Sequence, residues 1–190
     1  FCGQVLARTS KLHQYPIPNE VLDFLDQSVP KLLETANITE DKIDGLNTAT
    51  PFELWNWSSE LDAPEDVLNK WREFDLITEL RRKYKWPIAI ENDGTAACRG
   101  EQVFGFNKEA QDWVYFFIDT FIGGGVVLNG SVYPGRRGRA GGFGPLRIPD
   151  QDGGDRLIDH ASLLLLENMI NEQQLDPIEI IYNDPQDWSN

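Results

Sequence analysis

Sulfur and positive charge are what this chain has least of. Its 190 residues hold two cysteines and one methionine. Cys2 and Cys98 lie far apart in sequence and without metal-ligand spacing. That excludes a dense disulfide framework and fits a reducing cytoplasm, a single bridge between the two being the alternative. Lysine and arginine total 17 against 31 acidic residues, a formal net charge of −14. That balance argues against nucleic-acid binding by these residues, because phosphates would be repelled rather than neutralised. A DNA-binding domain elsewhere in a longer chain would not enter the count. The acidic excess otherwise reads as a well-solvated surface. Long hydrophobic runs are missing too: none approaches the roughly 20 residues that span a bilayer. No positively charged leader precedes an apolar segment, so no secretory signal is expected. What is present is enough apolar residue, 41%, to bury a core in a chain of this length.

Periodicity divides the chain into alternating elements. The 5–9 segment reads as a strand. Asn19 is placed to cap a helix whose apolar residues Val21, Leu22, Leu25, Val29, Leu32 and Leu33 recur at helical spacing. Pro30 is expected to kink or divide that helix. A short strand is expected over 43–46, then a polar corner, Asn47-Thr48-Ala49-Thr50-Pro51, where a ligand-facing loop would sit. Trp55 and Trp57 follow. Their flat apolar rings suit sugar faces, and the alternative is that they cover a loop or a subunit contact. Pro64 opens a helix with Val67, Leu68 and Trp71 on one side, and Asp75 looks like the cap of another over 76–84. An apolar interior strand is expected at 88–90. The polar linker 105–111 is the expected domain boundary, dividing 1–107 from 108–190. Beyond it come a strand over 114–118, a glycine-rich hairpin, a glycine-and-arginine loop over 134–144, and a helix over about 155–173. Strands alternating with helices, then a hairpin-led unit, indicate an α/β chain.

Two segments carry the chemistry. In the first, Ile118-Asp119-Thr120-Phe121-Ile122-Gly123-Gly124-Gly125-Val126-Val127-Leu128-Asn129-Gly130, two apolar runs flank a triple glycine and end at Asn-Gly. Asn-Gly between apolar segments signals a hairpin, because both turn positions need positive φ. The glycines admit close backbone approach, and a glycine turn with free N–H groups would form an anion-binding nest. A glycine-rich hairpin that binds nothing is the alternative. The second segment, Trp86-Pro87-Ile88-Ala89-Ile90-Glu91-Asn92-Asp93-Gly94-Thr95-Ala96-Ala97-Cys98-Arg99-Gly100-Glu101, reads as a buried strand, a polar corner and a small-residue helix. Asp93 there is either a helix cap or a rigidly held base.

Together with Gly138-Arg139-Ala140-Gly141, these segments resemble the ROK family of sugar kinases and sugar-responsive repressors. That family shows a strand ending in Glu-Asn-Asp, an Ala-rich helix, a Gly-Thr-Gly-Ile-Gly-Gly-Gly hairpin and an Arg-Ala-Gly-Glu-x-Gly-His segment. Order and spacing match over about 88–146, and more loosely over 5–162. The resemblance implies the actin-like, ribonuclease-H-like two-lobed sugar-kinase fold, incomplete at both ends. Residues 1–107 would be the remainder of the N-terminal α/β lobe and 108–190 the start of the C-terminal one. It implies that Asp93 is the base taking the proton of a sugar hydroxyl, and that Asn92 hydrogen-bonds the sugar. Thr120, Gly123, Gly124 and Gly125 would hold nucleotide phosphates through their backbone. Asn47, Asp159 and His160 complete the expected sugar-contacting set. The last two stand beside Ile158, where the family's second sugar-binding glutamate aligns, and a helix-terminal Asp with a surface His is the alternative.

The departures from the family pattern matter as much. Asp119 and Phe121 stand in place of two glycines, putting a negative charge and a bulky ring where phosphate would lie. Gly142 replaces the glutamate that grips sugar hydroxyls, and Pro145 replaces a histidine that contacts sugar and zinc. The stretch 147–155 offers no thiol where the family's zinc cluster falls, so no zinc is expected. These departures favour a sugar-sensing, kinase-like domain of a ROK-type transcriptional regulator, with a helix-turn-helix expected upstream of Phe1. An active sugar kinase using ATP with Mg is the alternative, and a module serving only dimerisation a third. The partners expected are a sugar or sugar derivative, DNA only through a domain outside these residues, and a second copy in a homodimer or higher homo-oligomer. No membrane contact is expected.

Overall fold

Pro18 sits at the first helical position, where its missing N–H leaves no bond unmade, and starts α1 (Pro18–Ala36). The computed structural model describes residues 3–105, 109–149 and 154–181. The N-cap is Ile17 rather than the expected Asn19, and α1 closes on Asn37, whose φ of 53° is left-handed. The helix runs through Pro30 undivided. Leu22, flanked by Val21 and Leu25, holds α1 against a core of Leu54, Trp71, Leu76 and Leu80, and that burial offsets the hydrogen bond the proline removes.

β1 (Leu46–Thr50) covers the residues expected to form a polar corner. After it come α2 (Glu65–Leu68), α3 (Leu76–Lys83) and β2 (Ile88–Asn92). β1 and β2 pair in parallel, from Leu46 opposite Ile88 to Thr50 opposite Asn92. A parallel pair requires a long crossover, and the helices between them supply it. Asn47 is therefore a strand residue and not part of a loop. The expected strand at 5–9 does not form: Val5 and Leu6 are exposed, and no described strand pairs with them.

Polar contacts fix the crossover. Trp71 Nε1 donates to the Pro16 carbonyl at 2.7 Å, and its ring meets Phe74 edge to face. Asp75 caps α3 as expected, accepting the Thr78 N–H at 3.1 Å and the Thr78 hydroxyl at 2.6 Å. Those bonds hold the Asp75 carboxyl below the usual carboxylate range. Trp55 packs on the core, and Trp57 Nε1 donates to the Phe52 carbonyl at 3.0 Å.

β2 passes without a corner into α4 (Asp93–Phe104). The first compact unit ends at Asn92 and the second begins at Asp93. The division precedes the expected 105–111 linker because α4 packs on the strands that follow it, β3 (Trp113–Ile118) and β4 (Ile122–Leu128). Residues 106–108 of that linker lie outside the described residues. β3 and β4 are antiparallel, and β5 (Ser131–Val132) returns along β4 after Asn129-Gly130. Both turn residues have positive φ, 50° and 68°, as the hairpin signal requires.

The single helix expected over 155–173 is shorter. It is α5 (Leu163–Glu172), started by Ser162 and followed by α6 (Pro177–Ile181). Upstream of Ser162 the backbone is committed elsewhere: Leu157 N–H donates to the Leu146 carbonyl, and Ile158 N–H to Gly144.

Candidate functional site

The three glycines lie within β4 rather than in a turn, which corrects their expected placement. Gly123, Gly124 and Gly125 pair with Phe117, Phe116 and Tyr115. Their lack of side chains serves packing. A Cβ on Gly94 of α4 would lie 2.7 Å from the Gly124 nitrogen, and one on Gly125 would lie 2.4 Å from the Cys98 Cβ. A Cβ on Gly141 would lie 1.9 Å from the Gly124 carbonyl oxygen. Helix, strand and the 133–144 loop thus meet backbone to backbone. Gln102 extends the same α4 face, donating to the Gly130 carbonyl.

Asp93 begins this helix, one residue before the Gly94 contact. It is half-buried, and its Oδ1 accepts the Gly94 N–H at 2.8 Å. A carboxylate at a helix N-terminus is favoured by the dipole, and a rigid helix start suits a proton acceptor equally well. Asn92 ends β2 with its side chain on the face shared by Ile88 and Ile90. Asn47 points to the other face of that sheet by strand alternation, so the structure does not bring Asn47 and Asn92 together.

The β3–β4 turn, Asp119-Thr120-Phe121, is closed on itself. Thr120 N–H donates to Asp119 Oδ1 at 2.6 Å, and Asp119 N–H to the Phe121 carbonyl at 3.4 Å. The Asp119 carbonyl accepts the Leu163 N–H at 2.8 Å, which ties the turn to the start of α5. An arriving phosphate would find the Thr120 amide occupied and a carboxylate beside it.

Asp159 and His160 are engaged with neighbours in the chain. Arg156 grips Asp159 through Nη2 at 2.8 Å and Nε at 3.1 Å, while its backbone N–H donates to the same carboxylate at 2.9 Å. These bonds hold the Asp159 carboxyl below its ordinary value. His160 Nε2 lies 2.9 Å from Asp155 Oδ2, and both side chains are exposed. No helix among the described residues is long and apolar enough to cross a membrane.

A family model described as the ROK family matches residues 9–155. The chain belongs to the ROK family. Among curated relatives, a xylose repressor of Bacillus subtilis is 39% identical over 80 residues, covering 42% of this chain and 21% of the repressor. A glucokinase of Halalkalibacterium halodurans is 32% identical over 83 residues, covering 44% of this chain and 25% of the kinase. The chain thus spans about a fifth to a quarter of these relatives. The structure of a ROK family glucokinase from Streptomyces griseus, in complex with glucose and AMPPNP, superposes with a TM-score of 0.58 at 20% identity. That match covers 85% of this chain and 53% of the glucokinase. The fold is therefore the α/β, actin-like fold of ROK sugar kinases.

Within this ROK chain, the sequence reading missed Phe143. Its ring is buried over the hairpin, 5.3 Å from that of Phe116, and a Cβ on Gly124 would meet it at 2.7 Å. It also missed what the glycines pack against. The available signal was the i, i+4 spacing of Gly94, Cys98 and Gln102, a narrow helix stripe that needs an equally small surface opposite.

Proposed function

We propose that these residues form the sugar-sensing, kinase-like part of a ROK-type transcriptional regulator. The hydrogen bond from the Thr120 amide to the Asp119 carboxylate carries this reading. A kinase needs backbone donors open to phosphate, and here the turn's donor is already satisfied by an anion of the chain itself. The likeness to a xylose repressor supports it. Asn92 and Asp93 are assigned to sugar hydroxyls. DNA contact belongs to a domain outside these residues, the full-length protein works as a cytoplasmic homo-oligomer, and no zinc is required. The test is full-length protein with pentoses and hexoses. A sugar-specific rise in Tm with no sugar-dependent ATP consumption is expected, and robust formation of a sugar phosphate would overturn the reading.

A second reading is a sugar kinase using ATP with Mg, in which Asp93 takes the proton of the attacking hydroxyl. The half-buried Asp93 at the head of α4 and the likeness to a glucokinase favour it. On that reading, Asp93→Asn keeps sugar affinity and lowers turnover by roughly 10²–10⁴-fold. On the sensor reading the same substitution changes only sugar affinity or DNA release.

A further inference from the structure

The loop after β5 reverses the charge of the molecule. From Thr120 through Pro149 there is no aspartate or glutamate, while Arg136, Arg137, Arg139 and Arg147 all fall in that span of a chain carrying −14. The first three of these arginines line an open cavity of about 670 Å³ with Tyr133, Gly135 and Ala140. That volume lies in the range of small-molecule sites. All three arginines are exposed. Among the described residues, no ion pair or hydrogen bond holds the Arg136 or Arg137 guanidinium.

The backbone beneath them is fixed. Gly138 N–H donates to the Gly135 carbonyl, Ala140 N–H to Pro134, and Gly142 N–H to Arg139. Gly135 has a φ of 77°, and a Cβ there would lie 3.2 Å from the Ala140 nitrogen, so the turn admits only a glycine without rearrangement. The far end of the loop is seated by Gly141 on Gly124. Like-charged guanidiniums on a rigid turn repel one another until a multivalent anion bridges them. Planar N–H forks match phosphate oxygens in pairs. Tyr133, half exposed beside them, offers an apolar ring face and a hydroxyl to whatever carries the phosphate.

We propose that the Tyr133–Ala140 loop is a binding site for a small phosphate monoester, held by the Arg136 and Arg137 guanidiniums. The lining of this site includes none of Asn92, Asp93, Asp119 and Thr120, and the proposal does not depend on the regulator reading. The ligand class is small because the rest of the chain is too acidic to lie along a polyanion.

The experiment uses full-length protein and titration calorimetry at constant ionic strength. The probes are inorganic phosphate, a hexose 6-phosphate, the unphosphorylated hexose and a 20-mer DNA lacking any operator sequence. Saturable binding of the hexose phosphate is expected, weakened about tenfold or more in Arg136→Gln/Arg137→Gln. Arg147→Gln, whose guanidinium instead donates to the Gly154 carbonyl, should bind as wild type does. In wild type, the hexose phosphate should also shield Arg136 and Arg137 from phenylglyoxal, a readout independent of whether the variant folds. Unchanged affinity in the double variant would overturn the proposal. So would heat that chloride abolishes at matched ionic strength, absence of shielding, or tighter binding of the 20-mer through these arginines.

Discussion

In the 3–92 unit, where Leu68 and Leu80 are fully buried, elements meet through side chains, whereas in the 93–181 unit, where Cys98 and Val127 are fully buried, α4, β4 and the 133–144 loop also meet through glycine backbones. Side-chain packing yields by degrees, since neighbours partly refill a lost methyl group's space. Backbone apposition has no such slack, because peptide planes cannot rotate out of the way without breaking the ladder. The second unit is therefore the one that holds its parts to a fixed distance. It also carries the Asp93 helix start, the Asp119 turn and the arginine loop.

Gly141→Ala tests this contrast hardest. The added methyl would sit 1.9 Å from the Gly124 carbonyl oxygen and 3.1 Å from the Gly125 nitrogen. A destabilisation of about 4 kcal/mol or more is expected, read as lost amide protection over β3–β5 in hydrogen exchange. Leu80→Ala, in the first unit, should lose about 3 kcal/mol by urea denaturation. If it proves the costlier of the two, the contrast is reversed. Asp75→Ala should lower Tm by no more than a few degrees at neutral pH. The folded state lowers this carboxyl's pKa, so its contribution is complete above the ordinary carboxylate value and disappears as pH falls through the lowered one. Wild type and Asp75→Ala should therefore converge in acid, and a gap that persists there would point to packing instead. The smallest effect has the opposite sign. Gly100 lies in α4 with nothing within 4 Å of where a Cβ would stand, so Gly100→Ala should gain about 0.4–1 kcal/mol. A loss there would mean that α4 is crowded along its whole length and not only on the Gly94–Cys98 stripe.

Local signals were legible. Asp75 capping α3 and Asn129-Gly130 closing the β4–β5 hairpin each follow from a few adjacent residues. Features set by distant partners were not. Asn47 to Thr50 read as a loop because their polarity hides the parallel ladder to 89–92. The segment 5–9 looks strand-like by composition alone, yet a strand exists only beside another. The periodicity of α4 marks a small-residue face but not which sheet it covers. For the candidate site, the charge of Asp119 was visible as an obstacle to phosphate. Its bond to the next amide was not, because a side chain folding back on its own turn leaves no trace in spacing.

That bond makes Asp119 a competitor that cannot be diluted. A carboxylate one residue from the amide it occupies has an effective concentration set by the turn's geometry and independent of the cell's composition. A free phosphate, however abundant, would contend with an anion already in place. Removing one carboxyl group would therefore change the turn from self-saturated to vacant without disturbing the strand pairing or the α5 anchor, both of which use backbone groups alone. In such a hairpin, an open turn amide is separated from an occupied one by a single side chain.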